Sequence, residues 1–151
     1  MNILYISISG NTRAFAHHLM EYAQEQHQAD NTLPEITLKE IHENSDFEQE
    51  TEPFFTFVPT YLEGGNGIDN GDTEILTETM REYLDFQNNY QFCLGVVGSG
   101  NKNFNNQYCL TAKQYAQQFG FPFLADYELR GTPTDVAQIY QTLTQVFNDN
   151  Q

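Results

Sequence analysis

Few markers of a secreted, membrane or nucleic-acid protein occur in this 151-residue chain, which has no tryptophan, two cysteines and only six lysines plus arginines. Each shortage excludes something. Cys93 and Cys109 form no C-x-x-C pair and cannot build a disulfide scaffold, so a reducing, cytoplasmic setting is the expectation. Neither cysteine has an arginine six residues on, as a phosphatase loop would. Against the six cations stand 21 aspartates and glutamates, a formal charge of −15. Such a surface repels phosphate backbones and anionic lipid, so neither nucleic acid nor membrane is expected as a partner. No apolar run approaches the roughly 18 residues of a membrane span, and no leader-like start is visible. The four histidines all precede residue 43, away from the later loops, which leaves no Ser–His–Asp arrangement. His17, His18 and His27 lack metal-ligand spacing and read as a solvated helix face.

What the chain does have is regular apolar patterning and 14% aromatic residues, which argues against disorder as the reason for its acidity. The run Ile3-Leu4-Tyr5-Ile6 reads as a buried strand, and it feeds into Ser7-Ile8-Ser9-Gly10-Asn11-Thr12 just before a helical pattern (Phe15, Leu19, Tyr22, Ala23). Hydroxyls, an amide and a glycine over the first turn of a helix suit a bound phosphate, because the unpaired N–H groups of a helix start attract anions. The triphosphate loop G-x-x-x-x-G-K-[ST] is not present. Simple helix capping by Asn11 or Thr12 suits the same residues, and on the residues alone both readings stand.

Further along, Ile36 to Leu38 with Ile41 predicts a short strand, and Phe54-Phe55-Thr56-Phe57-Val58 a strand covered on both faces. The latter breaks at Pro59 into a long loop holding Thr60, Tyr61 and the glycine-rich stretch Gly64-Gly65-Asn66-Gly67. Asp72 or Thr73 is then expected to cap a helix whose apolar stripe runs through Ile75, Leu76, Met80, Tyr83 and Leu84. Phe92 to Val97 is a third apolar run, opening into Gly98-Ser99-Gly100-Asn101-Lys102-Asn103-Phe104. A helix bearing Tyr108, Ala112, Tyr115 and Phe119 follows, stopping at Gly120; Phe121 to Ala125 gives a fifth strand, with Pro122 at its start or on a sheet edge. The last helix has the clearest start, with Thr132 as cap, Pro133 at the first position and Asp135 three residues after the cap. Alternation of strand and helix without repeats predicts one α/β domain over residues 1–151, a doubly wound parallel sheet of five strands with helices on both faces.

Ligands of such sheets bind beyond the carboxyl ends of the strands. The loops after strands one, three and four are the unusual ones here: hydroxyls in the first, an aromatic and glycines in the second, Gly-Ser-Gly with Asn101 and Phe104 in the third. A flat ring system would fit between Tyr61 and Phe104. Gly98-Ser99-Gly100 lacks the third glycine of the dinucleotide fingerprint, and the acidic second loop lacks the calcium spacing of an EF-hand. A phosphoacceptor domain needs a carboxylate after strand three, and Val58-Pro59-Thr60 supplies none.

The third-loop run Gly98 to Phe104, then Tyr108-Cys109, Tyr127 to Thr132 and Asp135, together with Val58-Pro59-Thr60-Tyr61 and the following glycines, resembles the NrdI family of flavodoxin-like proteins, in its streptococcal-type branch. The resemblance implies a flavodoxin-like fold that binds flavin mononucleotide (FMN). It implies an accessory redox protein, not a substrate-turnover enzyme. Its partner would be the small subunit of class Ib ribonucleotide reductase, with a flavin reductase or another electron donor upstream. Reduced FMN would convert O2 to superoxide or peroxide for assembly of the dimanganese–tyrosyl radical centre. By position, Ser7, Ser9, Gly10, Asn11 and Thr12 would hold the phosphate, Thr60, Tyr61, Gly64, Gly65, Asn66 and Gly67 one side of the ring, and Ser99, Gly100, Asn101 and Phe104 the other. The other function considered is a general single-electron carrier of the flavodoxin kind.

Overall fold

Five strands and four main helices form as the apolar runs demand, in a computed structural model that describes residues 1–65 and 71–151. Strands β1 (Asn2–Tyr5), β2 (Thr37–Glu40) and β3 (Phe54–Pro59) come first; β3 is followed by a two-stranded hairpin, β4 (Leu62–Glu63) and β5 (Thr73–Glu74). Strands β6 (Cys93–Gly100) and β7 (Phe123–Glu128) complete the main sheet, which is parallel throughout in the order β2-β1-β3-β6-β7.

Alternation along the strands divides the core. Ile3, Tyr5, Phe55 and Phe57 face α1 (Asn11–Ala29) and α4 (Pro133–Asp149), whereas Leu4, Ile6, Phe54 and Val58 face α2 (Glu78–Asp85) and α3 (Leu110–Phe119). β3 is buried at every residue, as a central strand with helices on both faces must be. Burying each of Phe54, Phe55 and Phe57 contributes about 1.5–3 kcal/mol. Pro122 lies just before the edge strand β7, where its carbonyl accepts from Val96 N (2.9 Å) and its missing N–H costs nothing.

Two helix starts and one strand start differ from the sequence pattern. Neither Asp72 nor Thr73 caps a helix: Thr73 and Glu74 are strand, Leu76 has φ 69°, and α2 begins after Thr77. Tertiary contacts override the local stripe here, since Ile75 N donates to Tyr61 O (3.0 Å) and the Glu74 carboxylate is held by three side chains. Tyr108 likewise precedes α3, whose N-cap is Cys109 at φ 55°. The fifth strand starts at Phe123, two residues later than its apolar run suggests.

The chain passes from β1 outward to β2 and then back across to β3. The direction of winding therefore reverses between β1 and β3, which leaves a crevice beyond their carboxyl ends.

Candidate functional site

At that crevice lies a cleft of about 310 Å3, within the range of small-ligand pockets. Of the residues singled out from sequence, Ser9, Asn11, Thr12, Thr60, Tyr61, Ser99, Gly100, Asn101 and Phe104 line it. Ser7 and Gly10 stand behind it in the first loop, and Gly64 and Gly65 in the hairpin turn; Asn66 and Gly67 lie outside the described residues. Pro59, Leu62, Ile75, Gln107 and Leu129 also line the cleft and were not anticipated.

The first loop ends in an open helix start. Gly10, the N-cap of α1, has φ 94° and offers no side chain, so the helix is uncapped. Ser7 Oγ accepts from Arg13 N (3.2 Å), while the N–H groups of Asn11 and Thr12 meet no acceptor among the described residues. α4 is the contrast. Thr132 Oγ1 accepts from Asp135 N (3.1 Å) and Asp135 Oδ2 accepts from Thr132 N (2.8 Å), which satisfies two N–H groups of that start by side chains. The N-cap residues of α2 and α3 also make no side-chain cap bond, but it is the open start of α1 whose first residues, Asn11 and Thr12, line the cleft.

Among the described residues no cation lines the cleft. Arg13, in the first turn of α1, is turned to Glu40, with Nε and Nη2 donating to the two carboxylate oxygens at 2.9 and 2.6 Å. The Arg13 hydrogen bonds hold the Glu40 carboxyl below its usual pKa, and burial, with Glu40 beside it, pushes the Tyr5 phenol up to about 12. An anion here would be held by N–H dipoles and hydroxyls alone.

The second loop is a hairpin. Its return limb is pinned by Glu74, whose side chain is 6% exposed: Oε1 accepts from Arg81 Nε (2.6 Å), and Oε2 from Thr77 Oγ1 and Tyr115 Oη (each 2.5 Å). On the outgoing limb, Tyr61 Oη donates to Ser9 Oγ (3.0 Å), and Thr60 Oγ1 accepts from Thr111 N (3.3 Å) near the start of α3.

Loop three is tied to the end of β7: Lys102 N donates to Glu128 Oε2 and Leu129 N to Gly100 O, both 2.9 Å. This brings Leu129 into the cleft. The buried Tyr127 ring stacks on Phe15 (centroids 3.8 Å apart), and its hydroxyl makes no hydrogen bond of ordinary geometry among the described residues. Burial raises that phenol's pKa, and the Ser99 and Thr12 hydroxyls are its polar neighbours. Cys109 is buried at the start of α3, and burial pushes its thiol up to about 12, so it carries no thiolate at neutral pH.

Among the described residues the large apolar side chains that stay exposed are Ile8 (40%), Leu76 (48%), Phe104 (63%) and Leu129 (49%). All four belong to the loops around the cleft or adjoin residues that line it.

A family model described as NrdI flavodoxin-like matches residues 3–141. The chain belongs to the NrdI flavodoxin-like family. An NrdI-like protein of Streptococcus pneumoniae serotype 4 is 47% identical over 148 residues, 97% of this chain and 94% of its own. One from Streptococcus pyogenes serotype M1 is 48% identical over 146 residues, 96% and 88% of the two chains. The protein NrdI of Erwinia tasmaniensis is 34% identical over 97 residues, covering 64% and 67%. Among solved structures, a short-chain flavodoxin associated with a PDU bacterial microcompartment superposes with a TM-score of 0.64 at 16% identity, over 99% of this chain and 97% of that one. This likeness shows the fold.

FMN is the cofactor of this flavodoxin-like NrdI family, and the residues present fit it. The open start of α1 suits a phosphate, the Thr12 and Ser99 hydroxyls in the lining suit a polyhydroxyl chain, and Tyr61 and the exposed Phe104 ring suit a flat heterocycle. Pro59, Leu62, Ile75 and Leu129 supply an apolar lining. The missed members had partial signals: Leu129 follows the carboxyl end of a strand, where sheet ligands bind, and Leu62-Glu63 and Thr73-Glu74 flank the glycine-rich turn.

Proposed function

We propose that this chain, as one domain over residues 1–151 in the cytoplasm, binds FMN in the cleft and serves the small subunit of class Ib ribonucleotide reductase. The observation that carries the reading is the start of α1, without a side-chain cap from Gly10, opening into a cleft walled by Tyr61 and Phe104, in a chain of the NrdI family.

When bound, FMN supplies electron storage and, in its reduced form, conversion of O2 to superoxide or peroxide for assembly of the dimanganese–tyrosyl radical centre. The chain's part is binding, orientation and electrostatics. Asn11 and Thr12 give their free N–H groups to the phosphate, with hydroxyls of Ser7, Ser9 and Thr12 as further donors about Gly10. Thr60, Tyr61, Gly64 and Gly65 flank the ring on one side; Ser99, Gly100, Asn101 and Phe104 flank it on the other. Asn101 Oδ1 already accepts from Asn103 N (2.9 Å), which leaves its amide N–H groups for the ligand. The −15 charge sets a negative field about the cleft that opposes adding electrons to a bound ring, so a reduced cofactor there is the stronger reductant.

The partner is supported by the rim. Ile8, Leu76, Phe104 and Leu129 expose apolar surface at the mouth of the cleft in an otherwise highly charged molecule, as a docking face does. Burying it against the reductase subunit would pass oxidant across a closed junction. An electron donor, a flavin reductase or another redox protein, would use the same opening before the partner docks.

Anaerobic reduction of the FMN-loaded protein, followed by air with and without the manganese-loaded reductase subunit, tests this by electron paramagnetic resonance. Tyrosyl radical that forms only with both proteins present is the expected result. Bound FMN without radical would make the chain an electron carrier of the flavodoxin kind, and a protein that refuses FMN would overturn both.

A further inference from the structure

The hairpin of the second loop touches the third loop through an unusual contact. Gln107, the last residue of the 3-10 turn Lys102–Gln107, spends both hydrogens of its amide on the hairpin: Nε2 donates to the carbonyl of Gly64 (3.0 Å) and to Asp72 Oδ1 (2.6 Å). These acceptors sit on opposite limbs, Gly64 just after β4 and Asp72 just before β5. Gly64 and Gly65 have φ 69° and 76°, a turn that other residues enter only with strain. A Cβ at Gly65 would run into Asp72 Oδ1, so the carboxylate is packed directly against the turn. One amide thus closes the hairpin on itself and fastens it to the opposite wall of the cleft.

We propose that Gln107 is a positioning residue that locks the second and third loops into one body, fixes the Gly64 peptide and thereby controls how fast the cofactor leaves. The inference rests on the cleft being the FMN site. An amide is the side chain this place calls for. It carries two donors on one nitrogen for two acceptors, where glutamate would set a carboxylate against Asp72 and a carbonyl, and leucine would donate to neither. Among the described residues the walls meet elsewhere at their base, where Thr60 N donates to Ser99 O (3.1 Å); their tips are anchored separately, the hairpin's return limb by Glu74 to α2 and α3, and the third loop by Glu128 and Gly100 to β7. With the Gln107 bonds removed, each wall remains folded and the walls part. Hydrogen bonds of this kind, one of them to a charged acceptor, correspond to roughly a tenfold change in an opening equilibrium.

Stopped-flow displacement of FMN from the full chain, with hydrogen exchange of the flavin-free protein, tests the lock. Gln107→Leu should release FMN about tenfold faster and raise exchange at β4 and β5 by a similar factor, with α4 unchanged. Gln107→Glu should release it faster still, because repulsion replaces attraction; a side chain that only fills space would rank the two variants the other way. Asp72→Ala in a double-mutant cycle with Gln107→Leu should give a non-additive result. Wild-type release rates in both Gln107 variants, or strict additivity in the cycle, would overturn the lock. A wild-type protein that binds no FMN would instead sink the cofactor reading, and hydrogen exchange in the flavin-free chain still decides whether Gln107 joins the loops.

Discussion

The Tyr61 hydroxyl donates to Ser9 Oγ over 3.0 Å, joining the second loop to the first across the mouth of the cleft. With Gln107 joining the second loop to the third, side chains link all three loops beyond β1, β3 and β6 above the last backbone bond of the sheet there, Thr60 N to Ser99 O. Regular structure sets the distance between the loops; a few polar side chains set their closure.

The open start of α1 gives a prediction with opposite signs. Asn11→Asp puts a carboxylate in the first helical turn, where it interacts favourably with the helix dipole by about 0.3–1 kcal/mol. The flavin-free variant should therefore melt slightly higher than wild type. The same charge repels a phosphate, so FMN affinity should fall by about a hundredfold, the worth of one or two charge-assisted hydrogen bonds. Calorimetric melting and fluorescence titration check the two halves.

The rim can be tested without touching the lining. Ile8 is 40% exposed and does not line the cleft. Ile8→Ser should leave the FMN dissociation constant unchanged and weaken association with the reductase subunit by about tenfold, the cost of roughly 1.4 kcal/mol of lost apolar burial. Surface plasmon resonance gives that number. Because the chain carries −15, its partner should present a basic patch and the association should weaken as salt is added.

Stability should be most sensitive at the central strand. Phe55 is wholly buried on β3 and packs in the α1–α4 side of the core. Phe55→Ala should cost about 3–5 kcal/mol in urea unfolding of the flavin-free protein, a large share of what holds a domain of this size together.

Acid should loosen the Arg13–Glu40 pair. The Glu40 pKa is lowered in the folded protein by the hydrogen bonds from Arg13, so its contribution to stability is complete above the unfolded glutamate value of about 4.3 and is lost as pH falls through the lower folded value. Melting temperatures of wild type and Glu40→Gln should differ near neutral pH and converge below that window.

Legibility in the sequence followed how local each cause is. The strand-to-loop run Ile3 to Thr12, the third loop Gly98 to Phe104 and the Thr132–Asp135 capping box are contiguous, and all three stand where their residues suggested. The hairpin was hidden because its strands are two residues each, too short for an alternating pattern, and because the Ile75 and Leu76 stripe mimics a helix start. What turned that stripe aside is Glu74 held by Arg81, Thr77 and Tyr115, a contact between distant parts of the chain. Gln107 was invisible for the same reason: a glutamine in a polar run carries no local mark of the distant acceptors that give it a role.

The most direct test of the central claim is an equilibrium titration of the flavin-free protein with FMN and with riboflavin. If the phosphate is held at the uncapped start of α1, FMN binds and riboflavin binds at least about a hundredfold more weakly, since the ring walls are common to both and the charge-assisted contacts are not. Equal affinity for the two, or no binding of either, would contradict the account.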